Sequence, residues 1–379
     1  MAFSKEALNT QRTFFSLLQA GLWEKEVRLL PYGEIDFSAI LNLAEEQSVV
    51  GLITAGIEHV ADMKPAKMDV LQFVGRTVQI EQQNQAMNQF IAELVKKMRE
   101  AGIYTVLVKG QGVAQCYVRP QWRASGDVDF FLSEENYLKA RAFLTPLAEH
   151  VDEEDVTRKH LGMTIDSWVV ELHGTLHTNL SKKINAGLDE LQWNIFHRGE
   201  VRCWDNNGVQ IFLPSANNDA IFVFTHILEH FYIGGVGLRQ ICDWCRLLWT
   251  YRQEFDVTIL EKRLQNMGIM SEWRAFGSFA VEYLGMPAEA MPLYSSEKKW
   301  SRKGDKICAF VMEVGNFGHN RDNSYYAKHP FLKRKIYSFG RRCGDLIRHA
   351  RIFPLDSLRF FPYMMMNGIK AALNGVHND

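Results

Sequence analysis

The chain has 379 residues and a formal net charge of −1, so it has no overall electrostatic attraction to nucleic acid or to a membrane. Hydrophobic residues make up 47% and charged residues 23%, the composition of a globular protein with two or three domains. Any electrostatic partner must therefore be met by a local patch. No apolar run approaches the roughly 18 residues of a membrane span, so we expect no integral membrane segment.

Cysteine use and the first residues indicate the compartment. The segment MAFSKEALNTQRTFF has no basic start followed by an apolar core, so we expect no signal peptide. Six cysteines are spread along the chain without the pattern of a disulfide framework, which predicts a reducing cytoplasm. Cys242 and Cys245 form a single C-x-x-C without the second pair or the histidines that a zinc site requires. We expect them to be buried helix cysteines.

In chain order, the first predicted element is a helical region over residues 1–101. Apolar residues recur at three and four positions through most of it, and Gly102 provides a stop after several basic residues. The stretch IYTVLV, from Ile103 to Val108, is apolar and rich in β-branched residues, which predicts an inner strand. The glycine turn KGQG follows it and leads into a short helix.

Two further strands are predicted after this turn. The loop RPQWRASG leads into the strand DVDFFL, and SWVVELH, from Ser167 to His173, forms the next one. From Ser215 onward the apolar period is helical again. We therefore predict an α+β fold, in which a core over residues 102–213 lies between the N-terminal helical region 1–101 and a C-terminal helical region 214–379.

Asp127 and Asp129 interrupt a strand that is otherwise apolar. Residues two apart in an extended chain share a face, so the two carboxylates stand side by side. Carboxylates that close repel each other unless a cation lies between them, and Mg²⁺ takes such oxygen ligands together with substrate phosphates. The alternative explanation is a strand end that dips into solvent.

Glu171 is a third acid on a predicted inner strand. A lone carboxylate there is costly unless it is paired or bound to a metal ion. His173 shares its face, which makes His173 a candidate for the substrate cleft. We expect Glu171 and the two aspartates to converge on one site from adjacent strands. The alternative is that Glu171 pairs with Arg119 or Arg123 for structure alone.

Glycines and basic residues that precede the aspartates in the chain are candidates for binding a phosphate group. Backbone amides at a helix start carry partial positive charge, and Gly110 and Gly112 let the backbone approach a ligand closely. Lys109 adds a formal charge, and Arg119 and Arg123 are candidates for holding the outer phosphates or an acceptor. Each of these residues also has an ordinary explanation as a turn glycine or a surface cation.

Together these features resemble the DNA polymerase β-like nucleotidyltransferase superfamily, and more narrowly a bacterial family of uncharacterised nucleotidyltransferases. The positions that match the family pattern are Lys109-Gly110, Tyr117, Arg119-Pro120, Arg123, Asp127-Val128-Asp129 and Glu171-Leu172-His173. The resemblance implies a small mixed sheet in the core. It also implies transfer of a nucleoside monophosphate from an NTP to an acceptor, with release of pyrophosphate.

The resemblance also implies roles for the acids. Asp127 and Asp129 bind two divalent ions, Mg²⁺ or Mn²⁺, and Glu171 binds the ion on the nucleophile side and draws the proton from the acceptor. The acceptor stays open between a sugar, a small molecule, a protein and RNA. Gln111 stands where the wider superfamily usually has a serine that contacts the phosphates. The alternative is therefore a catalytically silent module that binds a nucleotide or a partner on the same fold.

The segment HILEH, from His226 to His230, fits the H-x-x-E-H signature of a class of zinc proteases, with Glu229 as the general base. A motif this short counts only in its structural context. We expect instead that this helix packs against the sheet and offers His226 or His230 to the substrate cleft. Arg239 is a further candidate for the cleft, or for an ion pair with Asp243 on the same helix.

The C-terminal segment from Tyr325 to Asp379 is basic, because four lysines and six arginines face three aspartates, a net charge of +7. Such a segment suits peripheral contact with nucleotide phosphates, RNA or an anionic lipid surface. A solvated helix face is the alternative. The loop from Gly315 to Tyr326, rich in glycine and asparagine, is a further candidate for substrate contact.

Overall fold

The structure is a computed structural model that describes residues 5–316 and 331–373. This described part contains 14 α-helices and one sheet of seven strands. The predicted contact loop Gly315–Tyr326 lies mostly outside the described residues, as do both ends of the basic C-terminal segment.

Four helices precede the sheet: α1 (Lys5–Trp23), α2 (Phe37–Glu46), α3 (Val50–Glu58) and α4 (Lys67–Glu100). Helix α2 begins where the side chain of Asp36 accepts a hydrogen bond from the backbone N–H of Ala39, which satisfies a free donor of the first turn. Helix α4 has 34 residues and carries Lys97 and Arg99 in its last turn, where positive charge complements the helix dipole. The predicted helical N-terminal region is therefore present.

The seven strands are β1 (Val106–Val108), β2 (Asp127–Phe131), β3 (His150–Val151), β4 (His160–Ile165), β5 (Trp168–His173), β6 (Val201–Asn206) and β7 (Val209–Pro214). Their order in the sheet is β3-β4-β5-β2-β1-β7-β6. Strand β2 is parallel to β5 and β1 is parallel to β7, whereas the other neighbours are antiparallel. The sheet is thus mixed, with β2 near its centre. Three helices lie between the strands in sequence: α5 (Gly110–Ala114), α6 (Glu134–Leu144) and α7 (Lys182–Arg198).

The two faces of β2 pack against different cores. Val128 and Phe130 are buried in the smaller core, which also contains apolar side chains of α4 and α6. Phe131 enters the larger core with side chains of the helical regions. Because side chains alternate along a strand, Asp127 and Asp129 share a face with Phe131. The aspartates therefore lie on the face that looks toward the larger core.

Seven helices follow the sheet: α8 (Ala216–Ile233), α9 (Leu238–Thr250), α10 (Val257–Met267), α11 (Met270–Glu282), α12 (Lys298–Val314), α13 (Phe331–Ala350) and α14 (Pro354–Leu373). The larger core joins Phe14 of α1 and Ile53 of α3 to Trp244 of α9 and Trp273 of α11. The predicted α+β class, a mixed sheet with helical flanks, is confirmed. Because this core combines residues from all three predicted regions, their division at 101 and 213 stays a prediction.

Two smaller expectations are also resolved. Cys242 and Cys245 have no exposed surface on α9, so the prediction of buried helix cysteines is confirmed. All six cysteines of the chain are free. Among the described helices, none combines the length and the apolar character that a membrane crossing requires.

In the basic C-terminal segment, some described arginines have acidic partners. A guanidinium nitrogen of Arg348 lies 3.2 Å from a carboxylate oxygen of Glu313, and one of Arg359 lies 3.2 Å from Asp356. These pairs are exposed or half-exposed, so they contribute little to stability. Contact of this segment with an anionic surface stays a prediction.

Candidate active site

The register of the three central strands brings the predicted acids together. Asp129 of β2 lies directly opposite Glu171 of β5 in the parallel pair. Val108 of β1 lies opposite Asp129 on its other side, so the next residue, Lys109, leaves β1 beside the same carboxylate. Carboxylate oxygens of Asp127, Asp129 and Glu171 all lie within 4.8 Å of one another.

Lys109 is the cation of this cluster. Its Nζ lies 2.6 Å from Oδ1 of Asp129, whose side chain is 1% exposed. Burial opposes the lysine charge, but the nearby charges of Asp129 and Glu171 outweigh it and raise the pKa of Lys109. The backbone at Lys109 has a φ of +55°, in the left-handed region that few residues other than glycine adopt. The chain is therefore held in an unusual turn where the lysine meets the aspartate.

Two histidines adjoin the acids. Nε2 of His173 lies 2.8 Å from Oδ1 of Asp129 and 3.4 Å from Oε2 of Glu171. Nε2 of His160, on β4, lies 3.2 Å from the same Glu171 oxygen. Burial opposes the charge of Glu171, but the hydrogen bonds of His160 and His173 outweigh it and lower the pKa of this carboxyl. Burial also opposes a charge on His173, but its hydrogen bond with Asp129 outweighs burial and raises its pKa.

Negative charge is in excess at this site, since three carboxylates face Lys109 and, when it is protonated, His173. The charge of Asp129, followed by burial, raises the pKa of Asp127. Oδ2 of Asp129 is buried and has no hydrogen-bond partner among the described residues. A buried carboxylate oxygen without a partner is costly. A donor set of oxygens with one unsatisfied atom and surplus negative charge fits a hard divalent cation such as Mg²⁺.

Comparison with known proteins decides the family. A family model described as uncharacterised nucleotidyltransferase matches residues 33–285, which is more than half of the chain. The protein belongs to this nucleotidyltransferase family. It is therefore a transferase with a general role in nucleotidyl transfer. No curated protein and no solved structure matches the chain.

The glycine turn of this nucleotidyltransferase has two different parts. Gly110 has a φ of +39°, and a Cβ added there would lie 3.4 Å from the carbonyl oxygen of Asp127. Gly110 is thus needed for the turn beside the acids. A Cβ on Gly112 would instead lie 2.8 Å from a methyl group of Leu213 on β7. The close approach at Gly112 is to the sheet, so packing against β7 accounts for this glycine.

Arg123 and Arg119 have partners away from the acids. Nε and Nη2 of Arg123 donate to Oδ1 and Oδ2 of Asp243 at 3.0 and 2.7 Å. Nη2 of Arg119 lies 2.6 Å from a carboxylate oxygen of Glu58. The interpretation that Glu171 pairs with one of these arginines is therefore wrong, because histidines occupy that position. The expected phosphate role of Arg119 and Arg123 does not match these contacts, which tie loops and helices together.

The expected ion pair between Arg239 and Asp243 is also corrected. Both oxygens of Asp243 are bound by Arg123, and the hydroxyl of Tyr117 donates to Oδ1 at 2.8 Å. Nη1 of Arg239 donates instead to the carbonyl oxygen of Ala124 at 3.1 Å. Its positive charge still acts on Asp127, whose pKa it lowers against the stronger effects of Asp129 and burial. Arg239 thus borders the loop that enters β2.

His226 and His230 form a half-buried pair on α8, with their Nε2 atoms 3.0 Å apart. Burial, followed by the charge of Lys109, lowers the pKa of His226 well below its ordinary value and that of His230 to about 4. Both imidazoles are therefore neutral near pH 7. Glu229 accepts hydrogen bonds from Arg158 at 3.2 Å and from the backbone N–H of Asn179 at 2.9 Å. It anchors a loop, so the general base of the protease signature is engaged elsewhere.

Gln111 has a structural role that the sequence did not reveal. Its side chain is 1% exposed, and Nε2 donates to Oδ1 of Asn84 at 2.7 Å and to Oγ of Ser125 at 2.9 Å. Asn84, on α4, in turn donates to the carbonyl oxygens of Gln121 and Arg123, each at 2.7 Å. The residue in the place of the superfamily serine therefore fastens α4 and α5 to the loop that enters β2.

Proposed function

We propose that this protein transfers a nucleoside monophosphate from an NTP to an acceptor hydroxyl or a similar group, in a metal-dependent reaction that releases pyrophosphate. The observation that carries the proposal is the convergence of Asp127, Asp129 and Glu171, together with the buried Oδ2 of Asp129, which has no partner in the described part of the chain. Family membership over residues 33–285 supports the reaction class.

The three acids would hold two divalent ions, Mg²⁺ or Mn²⁺. Such ions, when bound, neutralise charge on the triphosphate and favour the deprotonated form of the attacking hydroxyl. The excess negative charge of the cluster supports this role, because Lys109 and His173 together do not balance three carboxylates. Lys109 keeps Asp129 in place through Oδ1 and leaves Oδ2 for an ion.

Glu171 acts as a ligand in this proposal. A good general base has a pKa near the working pH, whereas the contacts of His160 and His173 lower the pKa of Glu171 against the opposing effect of burial. A carboxylate with a lowered pKa favours its ionised form, which is suited to binding a cation. The removal of the acceptor proton by Glu171 stays a prediction beside this role as a ligand.

We place the triphosphate over the turn formed by Lys109 and Gly110. This turn opens α5, and the free backbone amides at a helix start carry partial positive charge that favours a phosphate group. This turn borders the acids, so phosphates there would reach ions held by them. The phosphate role expected of Arg119 and Arg123 stays a prediction, and acidic side chains contact both in this structure.

The acceptor would enter on the side of α8 and α9. Candidates for contact with the acceptor in this cleft are His226, His230 and Arg239. His173 is a further candidate at the point where the cleft would reach the three acids. The effect of Lys109 on the pKa of His226 and His230, second to burial, supports their closeness to the site. Neutral imidazoles offer one donor and one acceptor, which suits hydroxyl groups. A sugar, a small molecule, a protein side chain and RNA all satisfy this requirement.

A catalytically silent nucleotide-binding module is the second candidate. The observation that favours it is the burial of Gln111, since the superfamily serine is replaced by a side chain that faces α4 and the β2 loop. The three intact acids favour catalysis, because binding alone does not require such charge repulsion. We propose a cytoplasmic location for either function, since all six cysteines are free.

The test is turnover of labelled NTP by the full chain with Mg²⁺, with cell extract as the source of acceptor. We expect magnesium-dependent pyrophosphate release that the double variant Asp127→Asn, Asp129→Asn abolishes. The exposed Glu153→Gln is the matched control for loss of a carboxylate charge, and it should keep wild-type turnover. NTP binding without turnover in every extract would favour the silent module. Equal turnover in the double variant would contradict the site.

A further inference from the structure

His160, Glu171 and His173 form a second set of side chains with the spacing of metal ligands. Two imidazole nitrogens and one carboxylate oxygen of this set lie within 4.8 Å of one another. Glu171 belongs both to this set and to the three acids, whereas His160 belongs to this set alone. His160 lies on β4, so β5 separates it from the aspartates of β2, whereas His173 adjoins both Glu171 and Asp129.

The hairpin of β4 and β5 builds this arrangement. Its two-residue turn has φ values of +49° at Asp166 and +67° at Ser167, the left-handed pair that a tight hairpin requires. The resulting register places His160 directly opposite His173, and Glu171 is two residues from His173 on the same face. A slip of one residue would turn these side chains to the other face, so the turn fixes the set.

The two distances from Glu171 to the imidazoles are those of ligands around one ion. Oε2 of Glu171 lies 3.2 Å from Nε2 of His160 and 3.4 Å from Nε2 of His173. Charge-assisted hydrogen bonds are shorter, about 2.7–2.9 Å. Ligand atoms held tetrahedrally at about 2.0–2.1 Å from Zn²⁺ are roughly 3.3 Å apart. The spacing therefore matches a shared ion better than two strong hydrogen bonds.

The set is reachable from solvent and still well supported. The side chains are 28% exposed at His160, 25% at Glu171 and 16% at His173. All three are on strands, which hold ligands more firmly than loops do. Oδ1 of Asp129, 2.8 Å from His173, keeps Lys109 as a partner if the imidazole turns to an ion.

We infer that His160, Glu171 and His173 bind a borderline divalent ion, of the class of Zn²⁺ and Co²⁺, at a position separate from the oxygen ligands of the two aspartates. Imidazole nitrogen suits such ions, whereas Mg²⁺ prefers oxygen and keeps much of its water. Three protein ligands leave a fourth position open for water or substrate. This inference does not rest on nucleotidyl transfer.

The test is a titration of the metal-free full chain with Co²⁺, followed by visible absorption, with Zn²⁺ and Mg²⁺ as competitors. We expect one equivalent of Co²⁺ to give the intense bands of low coordination. One equivalent of Zn²⁺ should remove them, and a large excess of Mg²⁺ should leave them. Absence of these bands in the wild type, or their loss with Mg²⁺, would overturn the inference.

Three variants separate this site from its neighbours. His160→Gln should weaken Co²⁺ binding by at least about tenfold, since even residues behind metal ligands contribute about 10–100-fold. His226→Gln, the same change at a histidine outside the set, should keep the wild-type affinity. Asp127→Asn should also keep Co²⁺ binding while it loses thermal stabilisation by Mg²⁺ and NTP. Failure of the proposed transfer reaction would therefore leave the Co²⁺ result unchanged.

A wild-type measurement covers the case in which His160→Gln does not fold. One equivalent of Cu²⁺ bound to the unmutated chain should show hyperfine coupling to two imidazole nitrogens in its electron paramagnetic resonance spectrum. The same coupling in His226→Gln would assign it away from the pair on α8. Coupling to fewer than two nitrogens, or wild-type Co²⁺ affinity in a folded His160→Gln, would contradict the site.

Discussion

Asp129 and Asp243 are both buried carboxylates with cationic partners, yet their surroundings differ. Asp243 is bound at both oxygens by the guanidinium of Arg123, with the hydroxyl of Tyr117 added at one of them. Asp129 has Lys109 and His173 at Oδ1, while Oδ2 has no partner among the described residues. The first carboxylate is balanced in charge and geometry. The second belongs to a cluster with surplus negative charge.

The difference teaches how to separate an architectural carboxylate from a ligand. A bidentate pair with a third hydrogen bond satisfies the aspartate completely, so removal of either partner leaves an uncompensated buried charge. A cluster of carboxylates raises the pKa of one member through repulsion, as at Asp127, where the charge of Asp129 acts first and burial second. Such a cluster lowers the stability of the metal-free fold and is useful only when it binds a cation.

The largest expected effect is at the architectural pair. Asp243→Asn should reduce the free energy of unfolding by about 3–5 kcal/mol, because it leaves the 7%-exposed Arg123 buried without a counter-charge. Urea denaturation measures this loss. The double variant Asp243→Leu, Arg123→Met is the control and should lose clearly less, since no unpaired charge is buried. A loss below about 1 kcal/mol for Asp243→Asn would contradict this prediction, because such a value is typical of weak surface ion pairs.

Substitution of Gln111 should lower the free energy of unfolding by less than Asp243→Asn does. Gln111→Ala removes the hydrogen bonds to Asn84 and Ser125 and a weaker one to the sulfur of Met87. It leaves Oδ1 of Asn84 without this donor, and such a loss costs about 1–3 kcal/mol. Gln115→Ala, one turn further along and half-buried, is the matched control, with a change near 0.5 kcal/mol, a typical surface value. Chemical denaturation compares the two. Equal losses would mean that Gln111 does not fasten the β2 loop.

A third buried carboxylate extends the comparison to pH. Glu272 has no exposed surface, and burial, followed by the charge of Asp356, raises its pKa to about 8. The folded protein thus holds a proton that the unfolded chain releases near its ordinary pKa of 4.5. Stability should fall as pH rises from about 4.5 to about 8 and then level off.

Glu272→Gln provides the matched variant for this pH prediction. It keeps the shape of the side chain and a group for Tyr232, whose hydroxyl donates to Oε1 at 3.2 Å. The difference in unfolding free energy between the variant and the wild type should grow in favour of the variant from pH 5 to pH 8. Parallel curves for the two proteins across this range would contradict the assignment.

The sequence was sufficient wherever a local pattern carried the information. Apolar runs predicted β1, β2 and β5, and period-two spacing placed Asp127 and Asp129 on one face. The family prediction is confirmed by the match over residues 33–285. Strand β4 and the hairpin of β6 and β7 were not predicted, because their polar and apolar residues do not form the long apolar runs of inner strands.

The missed contacts share a physical reason. Arg123 and Asp243 are 120 residues apart in the chain, and Gln111 meets Asn84 across 27 residues. His160 joins the site only through the antiparallel register of β4 with β5. No periodicity within one segment encodes such pairings. The sequence identified charged residues that lie within apolar strands. Only the structure shows which charged residues have a partner of opposite charge.

The central claim is that Asp127, Asp129 and Glu171 bind metal ions, and the variant Asp127→Asn tests it most directly. Urea denaturation at pH 7 measures its stability without metal. A second measurement follows its thermal stabilisation by Mg²⁺ with each common NTP. The substitution removes one charge from a repulsive cluster, so the free energy of unfolding should hold or rise. The stabilisation by Mg²⁺ and NTP, about 2.7 kcal/mol for the wild type at 100 times Kd, should disappear. A loss of stability comparable to that of Asp243→Asn, or an unchanged response to Mg²⁺ and NTP, would contradict a metal-binding role for these acids.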